Sequence, residues 1–226
     1  MNQLSPLTDL RSKMERITGI SRRAAVAGVP IGVAEIDALL PGRSLARGGF
    51  HELLGDQGAI TSFLAALLGH QKTIQHVLWI TPSADLYPGG FAQLGLSHRR
   101  MTIAWTRQTD NRLWAAEEAL KDMPGGAVVA EVEQADLTET RRLQLAAETC
   151  GSIGFLVRRD RQPSAALTRW RIEPARSLDI RPCWRLTLER VRGAEAGGTW
   201  VLEFDNASLS FNLVAEVADR SLEAAE

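Results

Sequence analysis

Gly48-Gly49-Phe50-His51-Glu52-Leu53-Leu54-Gly55-Asp56-Gln57-Gly58-Ala59-Ile60-Thr61-Ser62 reads as a strand, a glycine-containing turn and the start of a helix, the local context of a Walker A phosphate loop. Set on the pattern G-x-x-x-x-G-K-[ST], the stretch keeps the first glycine as Gly55 and the final hydroxyl as Ser62. It has Ile60 and Thr61 where the second glycine and the lysine belong. The degenerate loop thus comprises Gly55, Asp56, Gln57, Gly58, Thr61 and Ser62. The missing lysine would carry the charge that meets the β- and γ-phosphates, and the missing glycine would let backbone N–H groups close around them. The expectation is a nucleotide-hydrolase fold without hydrolysis, a pseudo-ATPase with no cofactor and no metal.

Outward from this stretch the pattern alternates strand and helix. Apolar strands are expected at Phe50–Leu54, Val77–Ile80, Thr102–Trp105, Ala127–Val132 and Ile153–Val157, with helices at Ser62–Gly69, Phe91–Leu94, Arg112–Lys121 and Thr138–Thr149 between them. Strands that are apolar throughout and joined by helices imply an α/β fold with a mainly parallel sheet covered on both faces. After Val157 the period becomes two: Arg169–Ile172, Cys183–Arg190 and Thr199–Phe204 read as antiparallel strands, the last two joined by the Gly-rich Arg192–Gly198 loop. The expected organisation is an amphipathic helix and linker over 1–28, a core over 29–213 and an acidic mobile tail over 214–226. Leu10, Met14 and Ile17 form the apolar stripe of the first helix, which must bury itself on its own core or on another chain.

With 226 residues, 45% hydrophobic and 23% charged, one well-filled domain is expected. A net charge of −1 gives no global attraction to nucleic acid or membrane. Cys150 and Cys183 form no C-x-x-C pattern and read as buried thiols in a reducing compartment. No apolar run approaches membrane-spanning length, and a cytoplasmic protein is expected.

The order of a degenerate Walker A, a strand ending in Thr81-Pro82-Ser83, a Walker-B-like strand and a terminal antiparallel hairpin follows a RecA core. The chain resembles more closely the ImuA family of RecA-like inducible mutagenesis proteins, often labelled SulA-like. Leu86-Tyr87-Pro88-Gly89-Gly90, Leu113–Leu120, Arg141–Glu148 and Thr168-Arg169-Trp170-Arg171-Ile172 carry the resemblance, in order across roughly residues 30 to 205. It implies an accessory role in damage-induced mutagenesis and translesion synthesis beside an ImuB-like Y-family protein and an error-prone C-family polymerase, with contact to RecA also implied. A RecA-like ATPase with a rearranged site, using Arg47 or a partner's arginine for the lysine, and a cell-division inhibitor are the alternative readings.

Other catalytic groups are scarce. The acid that would orient water after the P-loop helix is absent, since Asp85 lies beyond the strand in a turn, and Glu131 stands at the Walker B position, where a solvent-facing strand end is the plainer reading. His51 reads as a packed strand residue, and Asp37, Asp56 and Asp85 as caps or turn formers. Between Arg158 and Arg192, ten arginines face four acids, with Trp170 and Trp184 among them. Arg158, Arg159, Arg161, Arg169 and Arg171 are therefore candidates for weak contact with single-stranded DNA or with an acidic partner, unless alternation turns the tryptophans inward. From Glu195 onward seven acids face only Arg220, an acidic end that either folds back on the basic stretch or simply solubilises.

Overall fold

The computed structural model describes residues 27–177 and 180–214. The expected first helix with Leu10, Met14 and Ile17, and the tail beyond Val214, lie outside them. In chain order the elements are α1 (Ala34–Asp37), β1 (Gly49–Gly55), α2 (Gln57–His70), β2 (Val77–Thr81), α3 (Pro88–Gln93), β3 (Met101–Trp105), α4 (Thr109–Asp122), β4 (Ala127–Glu131), α5 (Leu137–Cys150), β5 (Ile153–Val157), β6 (Thr168–Pro174), β7 (Cys183–Val191), β8 (Thr199–Asp205) and β9 (Ser210–Val214). Nine strands form one sheet in the order β3-β2-β4-β5-β1-β6-β7-β8-β9. The strands from β3 to β6 are parallel and β6 to β9 antiparallel. This is the α/β, RecA-like architecture expected, a mainly parallel sheet extended by C-terminal antiparallel strands.

Successive strand side chains point to opposite faces, and each parallel strand feeds two cores. Val77, Trp79, Val129, Phe155 and Leu53 pack with α2 and α3 on one face. Ile80, Val128, Ala130, Leu156 and Phe50 pack with α4 and α5 on the other. Past β6 the main core continues on the first face: Trp170, Trp184, Leu186, Phe204 and Phe211 turn toward Phe63 of α2, while Arg169, Arg171, Thr187 and Glu189 lie on the outer face. Trp184 sits 5.9 Å from the Phe63 ring and 5.8 Å from Phe211, both edge-on. α5 is fixed at both ends by local chemistry. Asp136 and Glu139 form a reciprocal capping box, and Gly151 takes the left-handed conformation that closes its C-terminus.

Most elements run one to three residues beyond their expected bounds. Two differ more. α2 begins at Gln57 rather than Ser62, and β9 falls where only loop and tail were expected, because Phe211 pairs with Phe204 and buries its ring against Phe63.

Candidate functional site

In a parallel α/β sheet, ligands bind at the carboxyl ends of the strands, so the junction of β1 with α2 is the first place to look. β1 ends at Gly55 with φ 125°, where a Cβ would lie 2.1 Å from the carbonyl oxygen of Ile172 on β6. The Asp56 N–H then donates to that same oxygen at 3.0 Å. Asp56 is the N-cap of α2, its Oδ1 accepting the Ala59 N–H at 2.8 Å. A single residue therefore separates strand from helix, and the segment aligned with the phosphate loop is already helical. The end of a helix that could receive a phosphate carries a carboxylate of its own.

The remaining positions of the degenerate loop are engaged in the same way. Ile60, at the second-glycine position, is 1% exposed in the core. The Ser62 hydroxyl, which would hold magnesium in an active loop, donates to Gly58 O at 2.8 Å and accepts the Trp184 indole N–H at 2.9 Å. Trp184 thus ties the antiparallel extension to this helix, a link that spacing in the sequence did not signal.

Glu131 corrects the expectation of a solvent-facing strand end. It is buried, and its carboxylate accepts Trp79 Nε1 at 2.6 Å and Thr81 Oγ1 at 3.2 Å from the neighbouring strand. Burial holds its pKa above the ordinary carboxylate range despite these donors. Asp85 is exposed and accepts from Ser83. Asp37 accepts the N–H groups of Ile31 and Gly32 at 2.8 and 3.0 Å. Among the described residues no group of three or more His, Cys, Asp or Glu is arranged to hold a metal ion.

Arg47 does not replace the lysine. It binds Gly125 O, Thr73 Oγ1 and Ala27 O, which places it where α2 ends and β4 begins, the opposite end of the sheet from the junction. His51 is the packed residue expected, 1% exposed, with Nε2 donating to Ala46 O and Nδ1 accepting from Thr168. Burial lowers its pKa to about 4.

The five candidate arginines divide. Arg158 is fully buried beside Glu52, also fully buried, which takes Arg158 Nη1 at 2.7 Å on one oxygen and Arg169 Nε at 2.8 Å on the other. Arg158 also pairs with Asp160 and donates to Ala135 O at 2.9 Å. Burial opposes its charge, but Asp160 and Glu52 together outweigh burial and raise its pKa. Arg158 thus braces β1, β5 and the entry to α5, with its charge already met by Glu52 and Asp160. Arg169 is largely spoken for by Glu52 and Gln162 O. Arg161 and Arg171 reach the outer face and share Glu189, each at 2.8 Å, and Arg159 is exposed. Trp170 and Trp184 are buried on the other face, 3% and 2% exposed, so they offer no stacking platform for bases. Exposed aromatic area lies elsewhere, at Trp105, Trp114 and Tyr87, which apolar periodicity does not distinguish from core.

No family profile matches the sequence. Among solved structures, the RadB recombinase superposes with a TM-score of 0.61 at 12% identity, covering 83% of this chain and all of that one. A KaiC-like protein of Pyrococcus horikoshii superposes with a TM-score of 0.55 at 13% identity, covering 84% of this chain and all of that one. Both likenesses concern the fold alone. The protein ImuA of two Caulobacter vibrioides strains is 36% identical over 225 aligned residues, 86% of this chain and 92% of the relative. With identity at that level over nearly the whole relative, on a RecA-like sheet, the chain belongs to the ImuA family.

Proposed function

We propose that the protein is a non-catalytic RecA-fold accessory factor of damage-induced mutagenesis. In this reading it acts in the SOS response and translesion DNA repair synthesis, in the cytoplasm, by docking on an ImuB-like Y-family protein. RecA is a second partner, and an error-prone C-family polymerase is engaged indirectly. The observation that carries the non-catalytic reading is the one-residue junction at Asp56, where a carboxylate caps α2 and Trp184 occupies the Ser62 hydroxyl. A phosphate group brought there meets negative charge and helix instead of an open cradle of amides. Family membership supports the mutagenesis role. The stripe Leu10, Met14 and Ile17 is the proposed partner contact, and Arg159, Arg161 and Arg171 the proposed weak contact for single-stranded DNA or an acidic partner surface.

The test is binding of the purified protein to ImuB-like and RecA partners by biolayer interferometry, with and without Mg–ATP. The expected result is binding to the ImuB-like partner that nucleotide leaves unchanged. Binding that requires ATP would overturn the non-catalytic reading, and loss of both partners would leave the family role without its proposed contacts.

A further inference from the structure

Along α5 runs an open groove of about 620 Å³, its far wall formed by the 164–166 segment and the end of β7. Between Leu137 and Glu148 it extends about 16 Å at the rise of an α-helix. Its floor is apolar and partly bare: Leu137 is 38% exposed and Leu145 63%, with Ala165 opposite them. Its rim is cationic. Arg141, Arg190 and Arg192 line it against Glu148, whose carboxylate is taken by Gln144 Nε2 at 2.9 Å.

Arg190 is the informative member. Its guanidinium donates to Ser164 O at 2.9 Å, Ser164 Oγ at 3.1 Å and Ala166 O at 2.8 Å, all neutral acceptors. Its Nε is the one buried side-chain polar atom without a hydrogen-bond partner among the described residues. Nor does any described carboxylate pair with Arg141, Arg190 or Arg192 at ion-pair distance. A half-buried guanidinium with neutral partners, between two further arginines, favours an anion.

Residues 215–226, Ala-Glu-Val-Ala-Asp-Arg-Ser-Leu-Glu-Ala-Ala-Glu, have the complementary composition. Glu216, Asp219, Glu223 and Glu226 give the segment four acids against Arg220 alone, with Val217 and Leu222 as its large apolar side chains. They also start within reach. Val214 pairs with Val201 on β8, and Val201 with Arg185 on β7, five residues before Arg190. Two strand spacings and five residues of rise put Val214 about 20 Å from Arg190; as extended chain the twelve residues span up to about 40 Å, and Leu222, eight residues on, reaches about 27 Å. Val214 alternates with the buried Phe211, so its side chain lies on the outer face that α5 and the groove share.

We propose that this groove is the docking site of the chain's own residues 215–226. Drawn out along the outer face, the segment places Leu222 on the apolar floor at Leu145 and Ala165, and Glu223 and Glu226 meet Arg141, Arg190 and Arg192. Docked in this way, the acidic segment also lowers the positive potential of the outer face that carries Arg161 and Arg171.

The experiment compares the full-length chain with a full-length variant whose own segment is disabled, L222S/E223Q/E226Q. A fluorescein-labelled peptide of residues 215–226 is the probe, read by anisotropy. The tethered segment competes at an effective concentration of about a millimolar, so the variant is expected to bind the peptide at least about tenfold more tightly than the parent chain does. Adding R141E and R192E to the variant is expected to weaken binding by about tenfold again, through like-charge contacts at the rim. L145S, at an exposed position that leaves the fold intact, is expected to weaken it separately. No saturable binding by the variant, equal binding by variant and parent, or indifference to the rim charges would each overturn the proposal. Matched circular dichroism melts verify that every variant is folded.

Discussion

Ile60→Gly with Thr61→Lys writes the complete pattern G-x-x-x-x-G-K-S between Gly55 and Ser62, and so tests whether sequence letters or local geometry decide nucleotide binding. Ile60 is 1% exposed and belongs to the core under α2. Truncating a buried isoleucine to alanine removes about 2–5 kcal/mol, and glycine in a helix interior about 1 kcal/mol more. The double variant is thus expected to lose roughly 3–6 kcal/mol, a drop in melting midpoint of roughly 6–24 °C for a chain of this size. Against a typical total of about 5–15 kcal/mol it stays folded or close to the edge. Thr61→Lys alone, at a half-buried position, keeps the fold and supplies the cation. Neither variant is expected to bind Mg–ATP, because α2 starts at Gln57, Asp56 caps it and the Ser62 hydroxyl is already bonded to Gly58 and Trp184. Equilibrium dialysis with labelled ATP, beside urea melts of the same samples, reads both effects. Saturable Mg–ATP binding by either variant would refute the reasoning, since it would mean that the helix start yields to a phosphate.

Three further outcomes are expected. His51 titrates near 4 when folded against an ordinary 6.5, so the unfolded chain gains its proton first as pH falls; stability is full above about 6.5 and declines by about 1.4 kcal/mol per unit, roughly 3 kcal/mol by pH 4. His51→Gln flattens that slope in urea melts at pH 7.5 and 5, and an unchanged slope would clear His51 of the effect. Glu52→Gln leaves the buried Arg158 short of a charge and is expected to cost about 3 kcal/mol or more, whereas Arg159→Glu at the exposed position changes stability by less than about 0.5 kcal/mol; equal effects would mean that the arginines are not divided into structural and surface sets. Glu131, with its pKa raised by burial, favours the folded state less as pH rises through that pKa, so Glu131→Gln is expected to gain stability relative to the parent at pH 8 and to lose that advantage below pH 4.5, a trend opposite to that of a carboxylate held by a cation.

Periodicity made the doubly covered sheet legible, since Val77–Ile80, Ala127–Ala130 and Ile153–Val157 are apolar on both parities and can be satisfied only by helices on both faces. It also exposed the change to period two after Val157. The start of α2 was not legible in the same way. Gln57, Gly58 and Ala59 carry no apolar stripe, and the helix start there depends on Asp56 reaching the Ala59 N–H; Asp56 was legible as a cap or turn former, but the apolar pattern placed the helix start at Ser62. The partners of Glu131 and Arg158 were not legible for one shared reason. A charged residue at a strand end defaults to solvent unless a partner is known, and the partners here come from strands 52 and 106 residues away in sequence. Such pairs are fixed by the strand order, which the sequence pattern does not contain.

The carboxyl ends of the strands in this fold are where an ATPase keeps polar groups unsatisfied until nucleotide arrives. Here the corresponding groups are satisfied from within: Asp56 by Ala59, Ser62 by Gly58 and Trp184, Glu131 by Trp79 and Thr81. A ligand entering this end must break existing hydrogen bonds before making its own, and each buried group left unmatched in the exchange costs about 1–3 kcal/mol. The unsatisfied polar atom among the described residues lies instead at Arg190, on the outer face beside α5, in a groove with an exposed apolar floor. The open hydrogen-bonding capacity is thus on the flank of the sheet, at a cationic groove with an apolar floor, and not at the strand ends. That displacement, from strand ends to helix flank, is the physical basis for reading the molecule as a docking platform.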